Sequence, residues 1–89
     1  MTISGNIMRG VANLTRHGKE VFTRQDVRLE LGVDSHDWNQ SYNPTFQGMR
    51  VDQPGGAPDV GERFKGVFRR VAHGKYKLTE YGQQLVGEF

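Results

Sequence analysis

The sequence predicts an α+β domain in which three helices are followed by a two-stranded β-hairpin. Two observations carry this. Apolar residues recur at helical spacing in three segments up to Gln53, each bounded by capping or terminating residues. Beyond a Gly/Pro-rich stretch the pattern changes to two short β-favouring runs around a glycine, within "VFRRVAHGKYKLTEYG" at 67–82. With 89 residues, 35% of them hydrophobic, residues 1–89 form one small domain, because two would each lack a core.

The first helix is expected over residues 4–17, where Ile7, Val11 and Leu14 line one face; Ser4 would cap it and Gly18 end it. "KEVFT" is long enough only for a connecting strand or extended entry that buries Val21 and Phe22. Thr23 and Asp26 have capping-box spacing ahead of a short second helix, "RQDVRLEL", which Gly32 terminates in the left-handed conformation. "VDSHDWNQSY" at 33–42 reads as a turn whose indole folds inward.

Asn43 and Pro44 signal the start of a third helix running to Pro54, with Asn43 as the cap. At about 100° per residue, Phe46, Met49 and Gln53 face the core while Gln47, Gly48 and Val51 face outward. "QPGGAPDVG" is a loop, and beyond it "ERFKGVFRRVAHGKYKLT" reads as two strands that turn at "AHGK", with Gly74 at positive φ and a bulge near Arg69–Val71. "TEYGQQLVGEF" closes the chain as a short helix or extension held by Tyr81 and Leu85.

Helices two and three joined by a turn, then a hairpin, make the winged helix-turn-helix arrangement. In such folds the third helix enters the DNA major groove and the hairpin touches flanking phosphates or the minor groove. Charge placement agrees with this. Net charge is only +2, yet Arg63, Lys65, Arg69, Arg70, Lys75 and Lys77, six of the twelve Lys and Arg, fall in one stretch without an acid. Arg69, Arg70, His73, Lys75 and Lys77 are the candidate phosphate contacts of the wing. On the third helix, Gln47 suits adenine and Arg50 suits guanine or a phosphate. Asn43 and Thr45 suit a phosphate or a base edge near the helix start, and Gly48 would let the backbone approach DNA closely. The alternative is that the wing's charges keep an exposed hairpin soluble and protect its edges.

The stretch from Asn43 to Gly82, and above all "FRRVAHGKYKLTEYG", resembles the winged-helix domains appended to bacterial HNH-type and other restriction endonucleases, over roughly residues 20–86. The resemblance implies double-stranded DNA binding, a restriction-modification setting with a fused or partner nuclease domain, and in some relatives a preference for methylated bases. No motif marks a methyl pocket. Trp38, Tyr42 and Phe46 are the aromatics for one, and equally the makings of a core. The nuclease half has no counterpart, so the chain is expected to be a small regulator or the N-terminal targeting module of a longer protein.

No P-loop, nucleophile elbow or nuclease-like acid–lysine set is present, so the expected protein is not an enzyme and needs no cofactor. Without cysteine and with its three histidines far apart, it offers no strong metal site; Asp34, His36 and Asp37 suit a capped turn better than an ion. No span of roughly 20 apolar residues exists, which leads to the expectation of a cytoplasmic protein without a membrane partner. A winged helix that docks a protein partner through its Gly/Pro loop and an apolar face is the rival reading.

Overall fold

The computed structural model describes residues 2–52 and 57–89. Helix α1 (Ile3–Arg16) buries Ile7, Met8 and Val11 completely. Its cap is Thr2, whose Oγ1 accepts the Gly5 N–H at 3.0 Å, rather than Ser4, which lies inside the helix and is buried. Thr2 and Ser4, either side of Ile3, offer the same hydroxyl chemistry, and with Ser4 inside the helix Thr2 is the cap. Helix α2 (Arg24–Leu31) starts on the expected capping box: Asp26 N–H donates to Thr23 Oγ1 at 3.0 Å and Thr23 N–H to Asp26 Oδ2 at 2.9 Å. Such a cap is worth about 0.5–2 kcal/mol. Gly32, at φ +69°, ends the helix.

Residues 33–42 depart from expectation, whereas a helix does cover Asn43–Gly48 as expected. In place of a turn, the chain forms helix α3 (Ser35–Asp37), a π-helical turn (Trp38–Tyr42) and helix α4 (Asn43–Gly48) as one helical run. Asp34 caps it, its Oδ1 accepting the Asp37 N–H at 2.8 Å, so the start signal at Asn43–Pro44 falls in mid-run. Proline inside a helix lacks an N–H and crowds the carbonyl four residues back. The π turn immediately before it, in which Asn43 N–H reaches Trp38 O, loosens the helix there. Packing holds the run together: Trp38 stacks on Tyr42 with ring centres 5.8 Å apart and packs on Phe46 at 6.2 Å.

The third helix also ends early. Met49 is its C-cap, and Arg50 pairs with Phe68 in an isolated parallel bridge, with Val51 N–H donating to Phe68 O at 2.8 Å. Gln53 and the start of the expected loop, residues 53–56, lie outside the described residues.

The hairpin pairs β1 (Phe68–Ala72) with β2 (Lys75–Leu78), turning at Gly74 with φ +69° and bulging at Val71, where the register slips between Arg70 and Ala72. The strands are shorter than the sequence suggests, because Glu62–Phe64 forms a 3-10 turn. Phe22 extends the sheet across β2, exchanging both backbone bonds with Tyr76 at 2.9 and 2.8 Å. Phe22 is therefore buried, while Val21, on the other side of the extended chain, is exposed.

Helix α5 (Glu80–Val86) closes the fold, capped by Thr79 and anchored by Leu85, with Tyr81 exposed. Gly82 sits against the backbone of Val67 so closely that a side chain would not fit. Where helices and hairpin meet, Phe46 stacks on Phe68 at 4.8 Å and meets Tyr76 edge-on at 5.1 Å, and Phe22 meets Phe68 edge-on at 5.5 Å. These rings join the helical run, the Phe22 segment and the hairpin, and Ile7, Met8 and Val11 of α1, Val27 of α2 and Leu85 of α5 complete the core. Among the described residues, no helix is long and apolar enough to cross a membrane.

Candidate nucleic-acid interface

Register decides which hairpin charges act together. Directly paired residues of antiparallel strands project to the same face, and neighbours along a strand to opposite faces. Phe68 pairs with Leu78 and Arg70 with Tyr76, so these four share the inner face. Arg69 pairs with Lys77 on the outer face, and Lys75, adjacent to Tyr76, projects with them. Three cations thus lie on one face of a hairpin that is otherwise held by buried Phe68, Tyr76 and Leu78.

The acid-free stretch then divides in two. At its root, Arg63 pairs with Glu88 at 2.9 Å and stacks over the Phe64 and Phe89 rings at 5.3 Å each. Lys65 pairs with Asp59 at 3.4 Å and Glu62 at 3.9 Å. Among the described residues, Arg69, Arg70, Lys75 and Lys77 have no carboxylate at ion-pair distance. Arg70 folds back on the turn, donating to Ala72 O at 3.3 Å and to His73 Nδ1 at 3.2 Å. His73 is exposed at the tip. Within this stretch, and among the described residues, the cations without a carboxylate partner are those of the hairpin proper.

The helical candidates sit differently. Gly48 is buried, not outward: a Cβ there would strike the Pro58 carbonyl and lie 2.9 Å from Val60 Cγ1. The close approach expected at this glycine exists, but it is to the chain's own backbone. Arg50, placed by sequence on an open flank, is only 8% exposed. Its guanidinium donates to Gln47 Oε1 at 2.6 Å, to Asp52 Oδ1 at 3.2 Å and to Asp52 O at 3.4 Å, and lies 5.3 Å from the Tyr76 ring centre. The early end of α4 causes this, turning Arg50 into the bridge with β1. Gln47 is thereby engaged as well, its Oε1 holding the Arg50 guanidinium. Thr45 donates its hydroxyl back to Ser41 O at 3.2 Å. Asn43 is half-buried, with Oδ1 shut from solvent and without a protein donor among the described residues.

Sequence reasoning missed Asn39 and Gln40, two exposed amides on the π turn, because their segment reads as a turn. It also missed Arg24. The guanidinium of Arg24 lies 5.0 Å from the Tyr76 ring centre and 5.4 Å from that of Phe46. Burial pushes its pKa below the ordinary arginine value; Tyr76 acts against this, and the nearby charges of Arg50 and Arg70 add to it. An arginine stays protonated at neutral pH regardless. Asp52 supplies the carboxylate here, bound by Arg50 and by the Arg70 N–H at 3.3 Å. Its burial opposes ionisation, but these hydrogen bonds outweigh that and hold its carboxyl below the usual range.

Trp38 and Phe46 are core residues and half-buried Tyr42 packs against them, so these aromatics serve the packing of the core. A cleft of about 240 Å³ between α1, β2 and α5 carries Thr15, Glu20, Lys77 and Gln83. That is below the roughly 300 Å³ at which small-molecule sites begin. Among the described residues, no group of three His, Asp, Glu or Cys side chains is placed to hold a metal ion. Comparison of the chain with protein-family models, with curated proteins and with solved structures found no match.

Proposed function

We propose that the chain is a non-catalytic, winged-helix-like module that binds double-stranded DNA, with the outer face of the hairpin on the phosphates. The observation that carries this is the alignment of Arg69, Lys75 and Lys77 on one face, with no carboxylate at ion-pair distance among the described residues, on a hairpin fixed to the core. Lysine and arginine heads on one face of a ribbon can neutralise backbone phosphates and gain affinity by displacing counterions. The single β-bridge from Phe22 and the helix-to-hairpin order support the winged-helix layout.

Affinity then comes from the backbone more than from bases. Gln47, Gly48 and Arg50 are taken up by internal packing, which leaves Asn39 and Gln40 as the exposed amides of the helical run that can reach base edges. Such a module aims a fused or partner domain, as in restriction-type proteins, or occupies a site as a regulator. Binding to a random-sequence duplex at two salt concentrations tests the proposal. Binding that weakens steeply with salt is the expected result, and no binding at low salt contradicts it.

A further inference from the structure

The inner face of the hairpin holds a second concentration of positive charge, built differently from the outer one. Tyr76 is its centre. Arg24, from the first turn of α2, and Arg50, from the end of α4, place their guanidinium carbons 5.0 and 5.3 Å from the Tyr76 ring centre, and Arg70 is the cross-strand partner of Tyr76. Two guanidinium groups from two elements therefore lie against one ring, and Arg70, whose side chain folds onto Ala72 O and His73 on the same face, is near enough for its charge to act on Arg24. Against them stands Asp52, whose carboxylate is already bound by the Arg50 side chain and the Arg70 N–H.

Like charges are not gathered on a protein of this size without cost, and burial raises that cost for Arg24. Arg50 meets it with Gln47 and Asp52. Arg24 does not: among the described residues its guanidinium finds no acceptor, and its Nε is shut from solvent while the terminal nitrogens are not. A planar guanidinium held against aromatic rings with its terminal N–H groups free can bind a phosphate in a fork.

We propose that Arg24 and Arg70, reinforced by the buried charge of Arg50, bind a single phosphate group on the inner side of the hairpin. The site is distinct from the outer face of Arg69, Lys75 and Lys77, and does not require DNA to be the source of the phosphate. That group is either a free phosphate ion or ester, or one phosphodiester of a duplex.

The test follows the side-chain Nε–H NMR signals of Arg24 and Arg70 in the full chain during two titrations at constant ionic strength. One uses inorganic phosphate balanced by chloride, the other a short random-sequence duplex. Arg24→Met keeps the stacking on Phe46 and Tyr76, and Arg70→Gln, at an exposed position, leaves the core intact. A saturable shift of both signals with either ligand, weakened about tenfold or more in both variants, is the expected result. Response to phosphate without duplex binding upholds the site as one for free phosphate and removes the DNA proposal. Response to the duplex alone assigns the site to the nucleic-acid backbone. Unmoved signals with both ligands overturn the inference. So do shifts that neither variant changes, which mean an adventitious ion only. Duplex binding that leaves Arg24 silent and both variants at full affinity overturns it while the DNA proposal stands.

Discussion

The helical run from Ser35 to Gly48 and the hairpin from Phe68 to Leu78 handle polar groups in opposite ways. At the end of the run, side chains with recognition chemistry turn inward, leaving only Asn39 and Gln40 of its amides exposed: Gln47 bonds to Arg50 just beyond the helix, Thr45 to Ser41 O, and Gly48 packs on Pro58. In the hairpin, apolar side chains anchor one face and cations occupy the other without carboxylate partners among the described residues. A hairpin can do this because its two faces are separated by the pleat. The helix cannot, because the segment at 58–60 covers the side that the core leaves open. The difference teaches that a residue type suited to reading bases says little until its hydrogen bonds are counted.

Substitutions in each region sharpen the contrast. The largest effect is expected at their junction. Phe46→Ala removes the ring that touches Trp38, Phe68 and Tyr76, and should cost about 3–5 kcal/mol in urea unfolding. Helix and hairpin signals should be lost in one transition. Gly48→Ala comes next, because its sign separates two accounts of the helix. An open face would make it stabilising by up to about 1 kcal/mol, whereas contact with the Pro58 carbonyl predicts a loss of about 1–3 kcal/mol. Thermal unfolding decides between them.

Gln47→Ala should lower stability by about 1 kcal/mol, through the lost bond to buried Arg50, and leave duplex affinity within error. A base-reading Gln47 would give the reverse pattern. The smallest effect concerns pH. Asp52 is held below the usual carboxylate range in the folded protein, so its contribution is complete above the unfolded value of about 3.9 and is lost as pH falls through the lowered one. The stability difference between the wild-type chain and Asp52→Asn should therefore shrink in acid. Its carboxylate is nearly half exposed, which keeps the difference small at every pH.

Much of this fold was legible because its signals are local. The Thr23–Asp26 capping box, the glycine at 32, the turn at Gly74 and the bulge beside Arg70 each depend on a few neighbouring residues. Residues 33–42 were not legible. Their composition favours a turn, and they are helical because Trp38 and Tyr42 stack on each other beside Phe46, while the π turn absorbs Pro44. Gly48 and Arg50 failed for a related reason. Helical periodicity predicts where apolar side chains point, but the partners here are a backbone carbonyl at Pro58 and a ring at Tyr76, distant in sequence. The candidate cations of the hairpin were visible as residues, yet only the register shows that Arg69, Lys75 and Lys77 share a face and Arg70 does not. Arg24 gave no signal, since a lone arginine in a helix's first turn has no pattern of its own.

The central claim is that the outer face of the hairpin, and not the helical run, supplies the bulk of the affinity for DNA. It is tested by the slope of log affinity against log salt for three proteins: the wild-type chain, Arg69→Ala with Lys75→Ala and Lys77→Ala, and Asn39→Ala with Gln40→Ala. Each phosphate contact adds about 0.9 to the slope, so the hairpin variant should lose about 2–3 from it and most of its binding at moderate salt. The helix variant should keep the wild-type slope. A hairpin variant that binds random duplex with unchanged affinity and slope would contradict the claim.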